Sequence, residues 1–354
     1  MSQVHLARPV DFYGAPPELP WRSGRTDSTT DRLAFRLHQV IQPNPILFGA
    51  DGRPIHLQGS PSKHSNILLG FSCDEGVRRN LGRPGAASGP DATRRALASL
   101  PFHDPSFDIV DAGDLVYREA VSGEPLAGVQ AALTASVQML LGSGHFPIVM
   151  GGGNEASWGT GKGIYDWARS FTPHKKVGIV LWDAHFDLRS VEERGVSSGT
   201  PFWQLAQDAQ TNGDPFHYMC LGVRRVANTA RLFATANELG AHFVTADDFM
   251  EINLHRLAHT LDTFIDGVDV IFETVDLDVF GAGHAPGVSA VNPDGLIPGP
   301  LFYHLFDCVT RSGKLVAFET TELSPPNDAA DGRTAKLAAT LIERVIHEQL
   351  QPSH

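Results

Sequence analysis

Eight short apolar runs, none with polar alternation, recur along the chain from Ile67 onward and restrict its possible folds more than any other feature. They are ILLGF from Ile67, DIVDAG from Asp108, PIVMGGG from Pro147 and VGIVLWDAH from Val177. The others are YMCLGV from Tyr218, HFVTADD from His242, VDVIFETVDLDV from Val268 and LVAFETTEL from Leu315. A strand with one wet face alternates polar and apolar residues; continuous apolar runs belong to strands covered on both faces. Between them lie helical stretches: DATRRALASL after Gly89–Pro90, Leu126–Leu141, and Thr334–Leu350 with Leu337, Leu341 and Val345 at helical spacing. Pro90 suits a first helical turn, where its missing N–H costs nothing. The alternation predicts an α/β fold, a doubly wound and mostly parallel sheet flanked by helices. No break in composition divides the chain, so a single domain over 1–354 is expected. Residues 1–66, rich in Pro, Gly, Ser and charge, read as an N-terminal arm packed on it, with one helical candidate at Arg32–Ile41.

Charge narrows the partners. The chain carries 28 Lys plus Arg against 40 Asp plus Glu, a formal −12, with no basic block. Nucleic acid and anionic membranes are poor partners for such a surface. An acidic substrate would need a local arginine cluster to hold it. The three scattered cysteines, Cys73, Cys220 and Cys308, suit buried thiols in a reducing cytoplasm better than a disulfide framework. MSQVHLARPVDFYG has no apolar stretch behind a basic start, and no uninterrupted apolar run is long enough to span a bilayer. The expected compartment is cytoplasmic.

The chemically interesting residues follow the apolar runs, at the strand ends where sheets of this class bind ligands. Asp183, His185 and Asp187 follow VGIVLW, and Asp276 and Asp278 follow VIFETV. Alternate residues of an extended chain point the same way, so each set can converge. Carboxylates gathered at the end of a buried sheet resist ionisation unless cations neutralise them. A lone Asp-x-His or Asp-x-Asp is usually a cap or a turn. Two such clusters, each after an apolar strand, favour a metal site. Oxygen ligands with one imidazole suit Mn²⁺, whereas a zinc site would show more His or Cys. Gly151–Gly152–Gly153–Asn154–Glu155 follows a third strand, where the glycines permit a sharp turn or close approach of backbone to a ligand. Arg189 and the loop Ser197–Thr200 are placed at the mouth, and Glu319 or Glu322, after the last run, should reach the same rim.

GGGNE, DAHFD and VDLDVFGAGHAPGVSA together resemble the ureohydrolase family of arginase, agmatinase and formimidoylglutamase. GFSCDEGVRRNLGRPGAASGPDATRRAL, SSGTPFWQLA, CLGVRRVANTARLF, DGRTAKLAA and WRSGRTD are similar to its bacterial formimidoylglutamases. The resemblance implies an eight-stranded parallel sheet, an arginase-like three-layer αβα fold and two Mn²⁺ ions per subunit. It implies that Asp183 and Asp276 bridge both ions, Asp187 completes the first, and His185 and Asp278 complete the second. Glu322, in the Glu-x-x-Pro motif ELSP, matches the residue that binds the substrate's amidine or guanidine. Arg189 and Ser198 match positions that orient the rest of the substrate.

This chain departs from the arginase pattern at two places. Asn154 stands where arginases have a histidine ligand, so the first ion should be more weakly held. The histidine of the loop after DAHxD is replaced by Thr200–Pro201–Phe202. With that histidine missing, Asp187 is the candidate proton donor to the leaving amine. Arg189, able to bond a carboxylate bidentately, favours a dianionic glutamate derivative over agmatine. Arg78, Arg79 and Arg83 are candidates for the same positive rim. The implied reaction is hydrolysis of the C–N bond of N-formimidoyl-L-glutamate to glutamate and formamide, in histidine degradation, by a homo-oligomer. Hydrolysis of a guanidino acid such as guanidinobutyrate, or a non-catalytic relative poor in metal, are the alternatives.

Overall fold

The computed structural model describes residues 7–348 apart from 17–20, 22–23, 62–63, 104–107, 120, 122, 193 and 252–253. Arg22 and Ser23 of the WRSGRTD stretch lie outside the described residues. The eight apolar runs form eight strands: β1 (Asn66–Ser72), β2 (Ile109–Val116), β3 (Phe146–Met150), β4 (Val177–Trp182), β5 (His217–Val223), β6 (His242–Thr245), β7 (Val270–Asp276) and β8 (Leu315–Thr321). All pair in parallel, in the order β2-β1-β3-β8-β7-β4-β5-β6. The arm adds two short strands at the β2 edge, Tyr13–Gly14 antiparallel and Gln42–Pro43 parallel.

Side chains alternate between two apolar layers, as the period of two requires. Ile148 and Met150 of β3 enter one, and Val149 between them enters the other. Eight helices cover these layers: α1 (Gly89–Ala98), α2 (Pro125–Gly142), α3 (Ala156–Ala168), α4 (Pro201–Asn212), α5 (Ala230–Glu238), α6 (Leu254–Asp266), α7 (Pro300–Thr310) and α8 (Arg333–Glu348). The first layer packs under α1, α6, α7 and α8, and the second under α2 to α5. By length and composition alone α2 could cross a membrane, with a mean hydropathy of 1.2. Its Val129, Leu133, Val137 and Leu140 are fully buried in the second layer instead.

The helix expected at Arg32–Ile41 does not form. Two separate 3₁₀ turns, Arg32–Ala34 and Leu37–Gln39, stand there, with Arg36 extended between them. Arg36 N donates to the Gln39 side chain, and its guanidinium reaches Asp27 and Ser99 O. Tertiary partners for this one residue outweigh a weak local helical preference.

A buried ion cluster ties the arm to the sheet. Arg94 of α1, fully buried, makes two bonds of 2.9 Å to Asp111 and one of 2.6 Å to Asp114. Trp21 Nε1 donates to the same Asp111 at 2.6 Å. Removing one member of a buried pair leaves the other charge uncompensated. Arg94→Met is therefore expected to lower the unfolding free energy by about 3–5 kcal/mol, read from the urea midpoint. An unshifted midpoint would show that the cluster contributes no net stability.

The order β3-β8-β7-β4 places four strands side by side at the centre of the sheet. Their pairing aligns Met150 with Thr320, Thr321 with Asp276, and Val275 with Trp182. Residues just past these positions, distant in sequence, therefore emerge together at one carboxyl edge.

Candidate metal centre

Beyond Trp182 the chain leaves the sheet and curls rather than continuing as a strand. Asp187 adopts a left-handed backbone, with φ at 46°. The curl is held from outside: Asn228 Nδ2 donates to Ala184 O at 2.8 Å, and Phe186 N donates to Asn228 Oδ1 at 3.1 Å. Phe186 is fully buried against Phe233 and Phe243, and its carbonyl accepts from Tyr218 Oη. Asn228, inside the CLGVRRVANTARLF stretch, thus shapes the site without entering it.

Asp183, His185 and Asp187 converge, each offering one ligand atom within 4.8 Å of the other two. Asp183, Asp276 and Asp278 do the same. Asp183 is common to both groups. His185 Nδ1 lies 3.2 Å from Asp183 Oδ1 and 3.1 Å from Asp278 Oδ2, which places His185 and Asp278 on the same side. Asp278 N donates to Asp276 Oδ1 at 2.9 Å, closing the turn after β7. Among the described residues, Asp183 Oδ2 and Asp278 Oδ1 are buried without a hydrogen-bond partner. Buried carboxylate oxygens of this kind need a cation or a proton. The donor set and these two orphaned oxygens fit divalent cations coordinated mainly by oxygen.

Burial, then repulsion from neighbouring acids, raises Asp183 and Asp276 well above the carboxylate range. Burial pushes Asp187 from 3.8 up to about 6, with His185 opposing the shift. Burial disfavours the charge on His185, yet Asp278 and Asp183 hold it well above its ordinary value. A raised Asp187 means that between the unfolded value, 3.8, and about 6 the folded chain holds a proton the unfolded chain has released. This contribution to stability is lost as pH rises through that window. A divalent cation must displace those protons, so its stabilising effect grows with pH. The rise in melting temperature on adding the cation is expected to be larger at neutral pH than near pH 5.

Asn154 follows the triple glycine. Gly152 is needed for backbone packing: a Cβ there would lie 1.9 Å from Cys73 O. The glycines thus seat one strand end against its neighbours, and Glu322 N donates to Gly152 O at 2.7 Å. Asn154 N donates to Glu322 Oε1 at 2.9 Å. Asn154 Nδ2 lies 2.7 Å from Asp187 Oδ2, with Oδ1 toward Ser157 and Thr321. The carbonyl oxygen expected to face the ions is thus placed on the far side.

Of the two glutamates after the last run, only Glu322 reaches the site, through a left-handed φ of 67°. It lines the same cavity as His185, Asp187, Asp276 and Asp278, a space of about 380 Å³. Glu319 points into the interior, accepting from Ser157, Thr160 and Thr274.

The arginine rim is narrower than expected. Arg78 and Arg79 both bond Glu75, and Arg79 also bonds Glu124. Arg83 lines the cavity, but its guanidinium is committed to Val288 O, Ser289 O and Asn327 Oδ1. Arg189 lines the cavity and makes one long contact, 3.3 Å to Asn80 Oδ1. Asn80 Nδ2 in turn donates to Ser198 Oγ at 3.2 Å, so Asn80 joins the two residues expected at the mouth. Sequence reasoning passed over Asn80; its only signal was its place in the GVRRNLGR segment.

The arginase family model matches residues 64–347. The chain belongs to the arginase family. Among its family relatives, a formimidoylglutamase of Ralstonia nicotianae is 43% identical over 325 residues, covering 91% of this chain and 93% of the relative. One of Rhodococcus jostii is 39% identical over 334 residues, covering 94% and 97%. The arginase-family fold is equally plain in solved structures. Formimidoylglutamase of Bacillus subtilis superposes with a TM-score of 0.74 at 23% identity, covering 92% of this chain and 95% of that one. A Trypanosoma cruzi formiminoglutamase with Mn²⁺₂ gives 0.69 at 24% identity, covering 82% and 95%.

Proposed function

We propose that this arginase-family chain hydrolyses N-formimidoyl-L-glutamate to L-glutamate and formamide with two manganese ions. The observation that carries the reading is Arg189. Of the two arginines lining the acidic cavity it is the one whose guanidinium has no backbone-carbonyl partner and only one long contact, to Asn80, among the described residues. A guanidinium over a cluster of carboxylates suits a substrate with a cationic amidine at one end and carboxylates at the other. The formimidoylglutamase relatives support this substrate, and the T. cruzi formiminoglutamase with Mn²⁺₂ supports the metal.

Asp183 and Asp276 would serve both ions, Asp187 and Asn154 the first, and His185 and Asp278 the second. The first ion would be the more weakly held, because a neutral amide replaces a stronger donor. When bound, the ions supply hydroxide near neutral pH. Glu322, its Oε1 fixed by Asn154 N–H, offers its negative charge to the amidinium and holds the carbon in line. Asp187 would take a proton from the attacking water and pass it to the glutamate nitrogen as its bond to that carbon breaks. Arg189 and Ser198 orient the glutamate end.

The deciding assay uses Mn²⁺-reconstituted protein and scores formamide and glutamate against urea. Formamide release from N-formimidoyl-L-glutamate is expected to exceed urea release from arginine, agmatine or guanidinobutyrate; the reverse order would overturn the substrate. Arg189→Ala is expected to raise KM for N-formimidoyl-L-glutamate about 10- to 100-fold, the loss of one charged hydrogen-bonding partner, with a smaller change in kcat. An unchanged KM would remove Arg189 from carboxylate recognition.

A further inference from the structure

The interior side of Asn154 poses a problem of proton counting. Ser157 Oγ lies 2.7 Å from Asn154 Oδ1 and 2.5 Å from Glu319 Oε1. A serine hydroxyl has one hydrogen, so it cannot donate to both. Glu319 is fully buried in β8, and its other contacts are the hydroxyls of Thr160 and Thr274. Burial raises Glu319 to about 7, against the three hydroxyls that face it, so above that pH it is a carboxylate with only lone pairs to offer, and it takes the proton of each hydroxyl.

Ser157 then has lone pairs alone to present to Asn154. The partner that satisfies them is the amide nitrogen. Turning the Asn154 amide by half a revolution about its last bond keeps its shape and exchanges the two atoms. Its nitrogen then donates to Ser157 Oγ, and Thr321 Oγ1, 3.2 Å away and otherwise a donor to Asn154 Oδ1, accepts the second hydrogen. Both amide hydrogens then have an acceptor. The same turn brings Asn154 Oδ1 to the position 2.7 Å from Asp187 Oδ2. Two oxygens that close repel unless a cation lies against both.

We infer that Ser157, held as a donor by Glu319, is a positioning residue that turns the Asn154 carbonyl oxygen toward the first ion. The inference rests on the reading that this ion binds beside Asn154 and Asp187. It gives the substitution of histidine by asparagine a supporting set of its own: the amide has two ends, and the hydroxyl behind it selects the one that faces the metal. Such partners behind a ligand commonly change metal affinity by about 10- to 100-fold.

The test measures binding rather than turnover. Full-length protein is stripped and titrated with Mn²⁺ by calorimetry, with metal content measured after gel filtration and the fold checked by thermal melting. Ser157→Ala is expected to weaken one ion by about 10- to 100-fold and leave the other unchanged. Ser157→Thr, which keeps the hydroxyl, is expected to retain both. Should Ser157→Ala not fold, Ser157→Cys supplies a thiol of similar size and weak hydrogen bonding, and is expected to weaken the same ion. In an Asn154→Ala background, Ser157→Ala is expected to have no further effect, because the two residues act through one amide. Two ions held by Ser157→Ala as tightly as by the natural chain would overturn the inference alone. A further loss of affinity in the Asn154→Ala background would also overturn it. Fewer than two ions bound by the natural chain at saturating Mn²⁺ would overturn the two-ion reading and the inference with it.

Discussion

Asp183→Asn is expected to remove tight binding of both ions and to lower kcat/KM by about 10³-fold or more, the scale of losing the activated nucleophile. Asp183 is the residue common to both candidate ligand groups, and its Oδ2 is buried without a partner among the described residues. Asparagine keeps the shape, so the effect isolates the charge. The stability of the stripped protein should move the other way. Asp183 is fully buried beside Asp278 and Asp187, and removing its charge relieves desolvation and repulsion together. The metal-free variant is therefore expected to melt higher than the metal-free natural chain, while gaining less on addition of Mn²⁺. Calorimetry and metal analysis check both halves. A variant that still holds two ions with unchanged affinity would deny Asp183 its shared role.

Glu322→Gln is expected to leave metal content unchanged and to lower kcat/KM by about 30- to 5,000-fold, the 2–5 kcal/mol range for unpairing a buried charge. The carboxylate sits in a left-handed turn locked by Glu322 N to Gly152 O, and its Oε1 accepts from Asn154 N. Glutamine can keep the accepting oxygen but not the charge that meets an amidinium. The separation between the two variants is the informative part: Asp183→Asn acts through the metal, Glu322→Gln through the substrate. Loss of an ion in Glu322→Gln would place Glu322 among the ligands instead.

Much of this candidate centre was legible in the chain because its candidate ligands sit at the ends of apolar strands. VGIVLW and VIFETV are buried on both faces, so the acids that follow them fall at the sheet's carboxyl edge by arithmetic of the strand period. Other residues left no such mark. Asn80 follows the short helix Glu75–Arg79 and meets Arg189 and Ser198 only through tertiary packing. Arg83 and Arg189 are alike as letters. One is locked onto carbonyls of the loop at Val288 and Ser289, and the other is left to the cavity. Glu319 lies within β8 and Glu322 just past its end, yet one faces α3 and the other the site. The left-handed backbone at Glu322 makes that difference, and no local preference of glutamate announces it.

The amino-acid order by itself determined the alternation of buried strand and helix, and with it the sheet and the edge at which acids gather. Hydrophobic burial acts on every residue of a run and survives any single exception, so pattern alone carries it. Tertiary structure alone decided the rest. The strand order β3-β8-β7-β4 brings Asp187, Asp276 and Glu322 to one cavity, with Asn154 against Asp187. It also leaves one arginine there with a single long hydrogen bond, to Asn80, among the described residues, and sets a serine behind Asn154. Those outcomes depend on directional contacts of a few ångströms between distant segments, where one hydrogen bond gained or lost changes what a side chain can do.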